Sequence, residues 1–302
     1  MTDDRRSHET SSLRKFFDDH LHLLQNHISS LNSHLQDAQQ QADEDRQIVE
    51  KFVAASNSKM RAVHGYSDKL RDHVRALYSH VLQIAEQIPP PIDLTLDVFV
   101  TDPLINALFV NNIDIDKLFE SDPEVHAYLR SDNHHQDTVL YALLTASKSE
   151  HRTLGIGMLG EMLIRELPQQ VVNFSSHKIH APCASNAELS SALRKYLFDR
   201  VVAMINQEMT ARMTSQAFTA SKETYESRVK SLANPTVYLG ALIEYLEIPE
   251  QLLSIAKIHF RLSKLGIKLN DNDKQSANEF DIHELTWSDN TKDVALQIAR
   301  AR

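Results

Sequence analysis

The chain has 302 residues, with 32 basic against 41 acidic side chains and a formal net charge of −9. Its 42% apolar and 24% charged residues are ordinary globular usage, which excludes wholesale disorder. The acidic balance argues against a nucleic-acid binder, which needs clustered Lys and Arg, and the single cysteine, Cys183, excludes an intramolecular disulfide framework.

Residues 1–12 are polar, carry both signs of charge and lack the apolar core of a signal peptide, so they read as a disordered N-terminus. The longest apolar runs, such as Val139 to Leu144, fall far short of the roughly 20 residues of a membrane-spanning helix. The expectation is a cytoplasmic protein with no membrane partner.

Residues 13–88 read as a helical coiled-coil arm. Between Ser11 and Ile88 there is no proline and one glycine, Gly65. Every seventh residue from Leu21 gives Leu21, Ile28, Leu35, Ala42, Val49, Ser56, Val63, Leu70, Leu77 and Ile84, and nine of these ten are apolar. The companion stripe, Leu24, Leu31, Ala38, Asp45 and Phe52 onward, starts apolar and then decays. Two geometries follow. A continuous helix over 11–88 would be about 117 Å long and would need a second chain to cover its stripe, predicting a homodimer. A turn near 56–65, where Ser56-Asn57-Ser58 and Gly65 stand, would instead fold the arm into a hairpin packed on the rest of the chain. The first is favoured, with Leu21, Leu24, Ile28, Leu31, Leu35, Val49, Phe52, Val63, Leu70, Leu77 and Ile84 as the self-association residues.

Pro89-Pro90-Pro91 ends the arm and reads as a stiff extended linker. The remainder, 92–302, is expected to be a mostly helical α+β domain with a small antiparallel sheet. Leu94 to Val100 alternates like a strand. Asp102-Pro103 and Asp122-Pro123 each place a capping carboxylate before a first-turn proline, so each should open a short helix. A meander is expected over 138–179, with 147–153 as its polar turn. Helix spacing returns at Leu189, Leu193, Leu197, Val201 and Ile205. Pro235 and Pro249 precede periodic stretches, 236–247 and 250–265, the latter with a helix-stop signal at Lys264-Leu265-Gly266. Phe280 to Trp287 suggests a strand and Lys292 to Ala301 a last helix.

Three groups of residues carry chemistry. Gly155, Gly157 and Gly160 spell G-x-G-x-x-G, but a polar stretch precedes them and His180, not an acid, stands about 20 residues on, so bending within a sheet explains them better than a dinucleotide site. His177, His180 and Cys183 are zinc-ligand types three residues apart, though on an extended strand such residues point to opposite faces. Among the sixteen histidines, His20, His27 and His34 flank the seam of the arm and His73 and His80 lie on its companion stripe, where protonation would weaken a dimer. The reading that follows is a self-associating interaction or adaptor protein, whose second domain binds a protein or small effector and needs no cofactor. The alternative is a zinc-dependent enzyme or metal-binding domain at 177–183.

Overall fold

A computed structural model of the chain describes residues 39–131, 139–159, 162–215, 234–270 and 276–301. From Val49 onward the apolar residues of the heptad stripe are buried, but against the chain's own body. Helix α1 (39–55) ends where the Ser56 hydroxyl donates to the Phe52 carbonyl. Asn57 then caps a short 3-10 helix, Ser58–Ala62. Gly65, at φ 68°, turns the chain into α2 (Tyr66–Gln87). A left-handed residue between two helices is what a hairpin needs and a continuous rod forbids. Glu50 clamps the turn by accepting hydrogen bonds from the Tyr66 hydroxyl and from Arg61 Nε, the latter at 3.1 Å. The long self-associating arm is therefore corrected over its described part. Val49, Phe52, Val63, Leu70, Leu77 and Ile84 lie in one core with Leu197 and Val201 of helix α7 (Asn186–Ser215) and Leu242 of helix α8 (Pro235–Leu246). Leu21, Leu24, Ile28, Leu31 and Leu35 lie outside the described residues.

After the three prolines, β1 (Ile92–Asp93) pairs parallel with the last strand, and four short helices follow: α3 (Leu96–Thr101), α4 (Pro103–Leu108), α5 (Asn112–Ser121) and α6 (Pro123–Arg130). Asp102 and Asp122 cap α4 and α6 ahead of a first-turn proline, as the sequence indicates. The strand expected at 94–100 is instead α3, because the Thr95 hydroxyl accepts from Val98 N–H and starts a helix there.

Five antiparallel strands form a curled, half-barrel sheet in the order β3-β2-β6-β5-β4: β2 (Val139–Leu159), β3 (Met162–Cys183), β4 (Leu253–Leu262), β5 (Asn278–Trp287) and β6 (Lys292–Ala301). The expected helices over 250–265 and 292–301 are thus strands. Alternation sorts the sheet's side chains. Leu143, Leu253, Leu285, Trp287 and Ala295 face α1, α2, α7 and α8. Leu140, Ala142, Leu144, Phe260, Ile282 and Leu296 face the layer of short helices. The central strand β6 is buried over Val294–Ala299 on both faces, so its sequence lacks the polar alternation of a half-exposed strand.

The curl brings the turn after β4 onto β3. Val172 N–H donates to the Gly266 carbonyl at 2.9 Å and Lys268 N–H to the Gln170 carbonyl at 2.8 Å. Gly266 sits at φ +73°, and a Cβ there would meet the Val172 carbonyl oxygen at 2.8 Å. Gly266→Ala should lower the unfolding free energy by about 1–3 kcal/mol in urea denaturation, and an unchanged midpoint would show that this turn does not hold the curl closed.

Candidate functional site

The longest hairpin among the described strands, β2–β3, runs out past the rest of the sheet. β2 pairs with β6 only from Val139↔Ala301 to Ala146↔Val294, and the first two residues of β6, Lys292 and Asp293, pair with β5 alone. β2 then runs on to Leu159 with β3 alone, as a two-stranded arm. Its ladder is regular from Ser147↔Ser175 to Gly155↔Leu167, with a register shift at each end. The extra residues fall on β3, where Ser176 and Glu166 take φ of 54° and 67°. The nine residues 147–155 of β2 are therefore an unbroken straight edge.

The outward direction of each backbone group follows from β3. Its far edge is covered by the Gly266 turn at Gln170 and Val172 and by α6 near its C-terminal end. There Asp122 Oδ2 accepts from Ile179 N–H at 3.0 Å and Glu124 Oε2 from Ala181 N–H at 3.1 Å. Gln170 and Val172 thus point away from β2, so Val171 and Asn173 point toward it, opposite His151 and Ser149. On β2 the odd residues are used up, and Lys148, Glu150, Arg152 and Leu154 turn their N–H and C=O groups to the other side. Among the described residues nothing pairs with that edge.

Natural sheets guard such edges with bulges, prolines or projecting lysines. Residues 147–155 have no proline, and the one lysine is folded away. Lys148 Nζ lies 2.8 Å from Glu284 Oε2 and 3.2 Å from Glu150 Oε1, with its side chain only 13% exposed. Burial alone would depress its ammonium, but the carboxylates of Glu284 and Glu150 more than reverse this and hold it above its ordinary value. Gln170 Nε2 donates to Glu150 Oε2 at 2.6 Å, fixing that carboxylate over the strand. Beyond the charges, Leu154 and Ile156 are 65% and 63% exposed. Between this tip and the Gly266 turn lies a groove lined by Ile156, Leu167, Pro168, Leu265 and Ile267.

The residues read as metal ligands are dispersed. His177 stacks on Phe109, with ring centroids 4.7 Å apart, against the short-helix layer. Burial lowers its pKa, so its imidazole is held toward the neutral form. His180 stacks on Tyr196 of α7, at 4.5 Å, with Nδ1 2.7 Å from Glu124 Oε1. Cys183 is buried, its thiol donating to the carbonyls of Tyr141 and Ser185, and burial pushes its pKa up to about 11. A thiol so placed is a packed hydrophobe rather than a thiolate ligand. Among the described residues no group of three or more His, Cys, Asp and Glu side chains is placed to hold a metal ion. Nor is any described helix long and apolar enough to cross a membrane. Gly155 and Gly157 fall at the register shift that bends the arm, and a Cβ on Gly155 would strike Gln169 Oε1 at 2.0 Å.

Sequence reasoning missed the edge because 147–153, Ser-Lys-Ser-Glu-His-Arg-Thr, is polar on both faces and reads as a turn. The usable signal was the run's length: seven polar residues without glycine or proline are poor material for a tight turn. Comparison of the chain with protein-family models, with curated proteins and with solved structures finds no match.

Proposed function

We propose that this is a non-catalytic interaction protein that takes a protein partner as an added strand on the β2 edge. One observation carries the reading: an edge, 147–155, with no proline and a regular ladder to β3, in which four residues present unused backbone groups. Strand addition draws affinity from main-chain hydrogen bonds and specificity from alternate side chains. Here the alternate side chains on one face are Lys148, Glu150, Arg152 and Leu154, with Ser149, His151 and Thr153 on the other. The proposal keeps the cytoplasmic setting read from the sequence.

Site-specific photo-cross-linking tests it. A photoreactive residue at Ser149 or Thr153, exposed on the arm, is compared with one at Lys195, exposed on α7. Discrete protein adducts are expected from 149 and 153 but not from 195. They should vanish in Glu150→Pro, which deletes an outward N–H without touching a β2–β3 hydrogen bond. Equal adducts at all three positions, or adducts indifferent to the proline, would remove the edge as the docking element.

A further inference from the structure

We infer that the chain binds a second copy of itself by laying the exposed face of α3 into the groove beside the Gly266 turn. This does not depend on the β2 edge, because the groove lies on the β3 side of the hairpin. One half of the contact is α3. Leu96 and Val100, one helical turn apart, are 61% and 70% exposed, and Asp97 stands beside them on the exposed face. Asp93, shortly before the helix, is exposed as well. Among the described residues neither carboxylate meets a cation. Ile113, also exposed, differs in this respect, since its neighbour Asp114 has Lys117 Nζ 3.8 Å away.

The groove is the other half, apolar in the same way and opposite in charge. Ile156, Leu167, Pro168, Leu265 and Ile267 line a volume of about 730 Å³, and Leu265 is 80% exposed. The only charged residues among the described lining are Lys264 and Lys268, and neither meets a carboxylate among the described residues. Two open apolar surfaces gain free energy when each covers the other, and unlike charges beside them fix the orientation and disfavour other pairings. Within one folded chain both surfaces stay uncovered, so the contact joins two copies. Leu96 and Val100 of one copy enter the groove of the next, with Asp93 and Asp97 turned toward Lys264 and Lys268. The two surfaces are different, so the contact forms either twice across a two-fold axis or once per copy, head to tail.

The test is the solution mass of the full chain, whose monomer is 34.4 kDa, by light scattering over a concentration series. The wild type should become heavier than the monomer as concentration rises. One variant reverses the groove with Lys264→Glu and Lys268→Glu, and another reverses the helix with Asp93→Lys and Asp97→Lys. Each alone should weaken association about tenfold or more. All four side chains are exposed, so neither variant opens the core. Mixing the two variants should restore association, because the reversed helix meets the reversed groove and the two native surfaces meet each other. Recovery that appears only on mixing cannot come from a change within either chain. A wild type that stays monomeric, reversed variants that associate as the wild type does, or a mixture no heavier than its components overturns the inference. The cross-links at 149 and 153 read a different surface, so strand addition stands or falls separately.

Discussion

Glu284→Gln should lower the free energy of unfolding by about 3 kcal/mol, because it removes the nearer and more buried of the two carboxylates on Lys148 and leaves only Glu150 beside it. Glu284 lies on β5, 2% exposed, with Lys148 Nζ 2.8 Å from Oε2 and Lys292 Nζ 3.0 Å from Oε1. The Lys148 ammonium also lies 5.4 Å from the centroid of the Phe260 ring, so without Glu284 it keeps only this cation–π contact and the outer carboxylate of Glu150. Lys292 is 56% exposed, and its share is small after solvent screening. Desolvation alone would raise the Glu284 carboxyl, but the two ammoniums outweigh it and hold the group below its ordinary 4.5. The sign of the pH effect follows. A carboxyl with a lowered folded pKa contributes stability above its unfolded value, and that contribution disappears as pH falls through the folded one. Urea unfolding from pH 7 down to pH 3 should therefore show the wild type approaching Glu284→Gln at the acid end. Lys148→Met combined with Glu284→Leu should recover most of the loss at pH 7, since apolar replacement of a buried pair is commonly neutral or better. A Glu284→Gln midpoint within error of wild type at pH 7 would show that water reaches Lys148.

Asp122→Ala should cost about 2–4 kcal/mol, the sum of a lost helix cap and a buried strand N–H left without an acceptor. The Asp122 carboxylate is 7% exposed and uses both oxygens. Oδ1 accepts from Glu124 and Val125 N–H and caps α6, while Oδ2 accepts from Ile179 N–H on the outer edge of β3. Asparagine separates the two roles. In Asp122→Asn the remaining oxygen can cap the helix, but an amide NH2 then faces the Ile179 N–H, so about half the loss should persist. Amide exchange at Ile179 should quicken in both variants, and protection unchanged from wild type would mean that α6 does not cover this edge.

These two carboxylates show how differently sites are legible in sequence. Asp122 announces itself, since aspartate directly before proline marks a helix start whatever surrounds it. Its second bond, to a strand 57 residues away, does not. Glu284 gives little local sign, because Lys292 reaches it only across the β5–β6 hairpin and Lys148 only once β2 is laid beside β6. His177, His180 and Cys183 teach the converse. Their spacing is suggestive on paper, but left-handed residues at Ser176 and Ala181 and the helices packed on each face take the side chains to Phe109, Tyr196 and backbone carbonyls.

Local chemistry in the sequence was enough to determine the capped helices α4 and α6, the helical face of α7, the strand at β5, and which residues of the 49–84 stripe are buried. Each depends on a cap, a turn or a periodicity within a few residues. What buries that stripe was decided by tertiary structure, since an apolar face is equally satisfied by a second chain or by α7, α8 and the sheet. The same holds for β4 and β6, whose apolar runs carry no period that separates strand from buried helix. It holds also for the free edge of β2, which exists because the ladder with β6 ends at Ala146↔Val294 and leaves residues 147–155 paired with β3 alone. Hydrogen bonds between strands are drawn from wherever the sheet brings backbone together, and no pattern within one strand records what stands beside it.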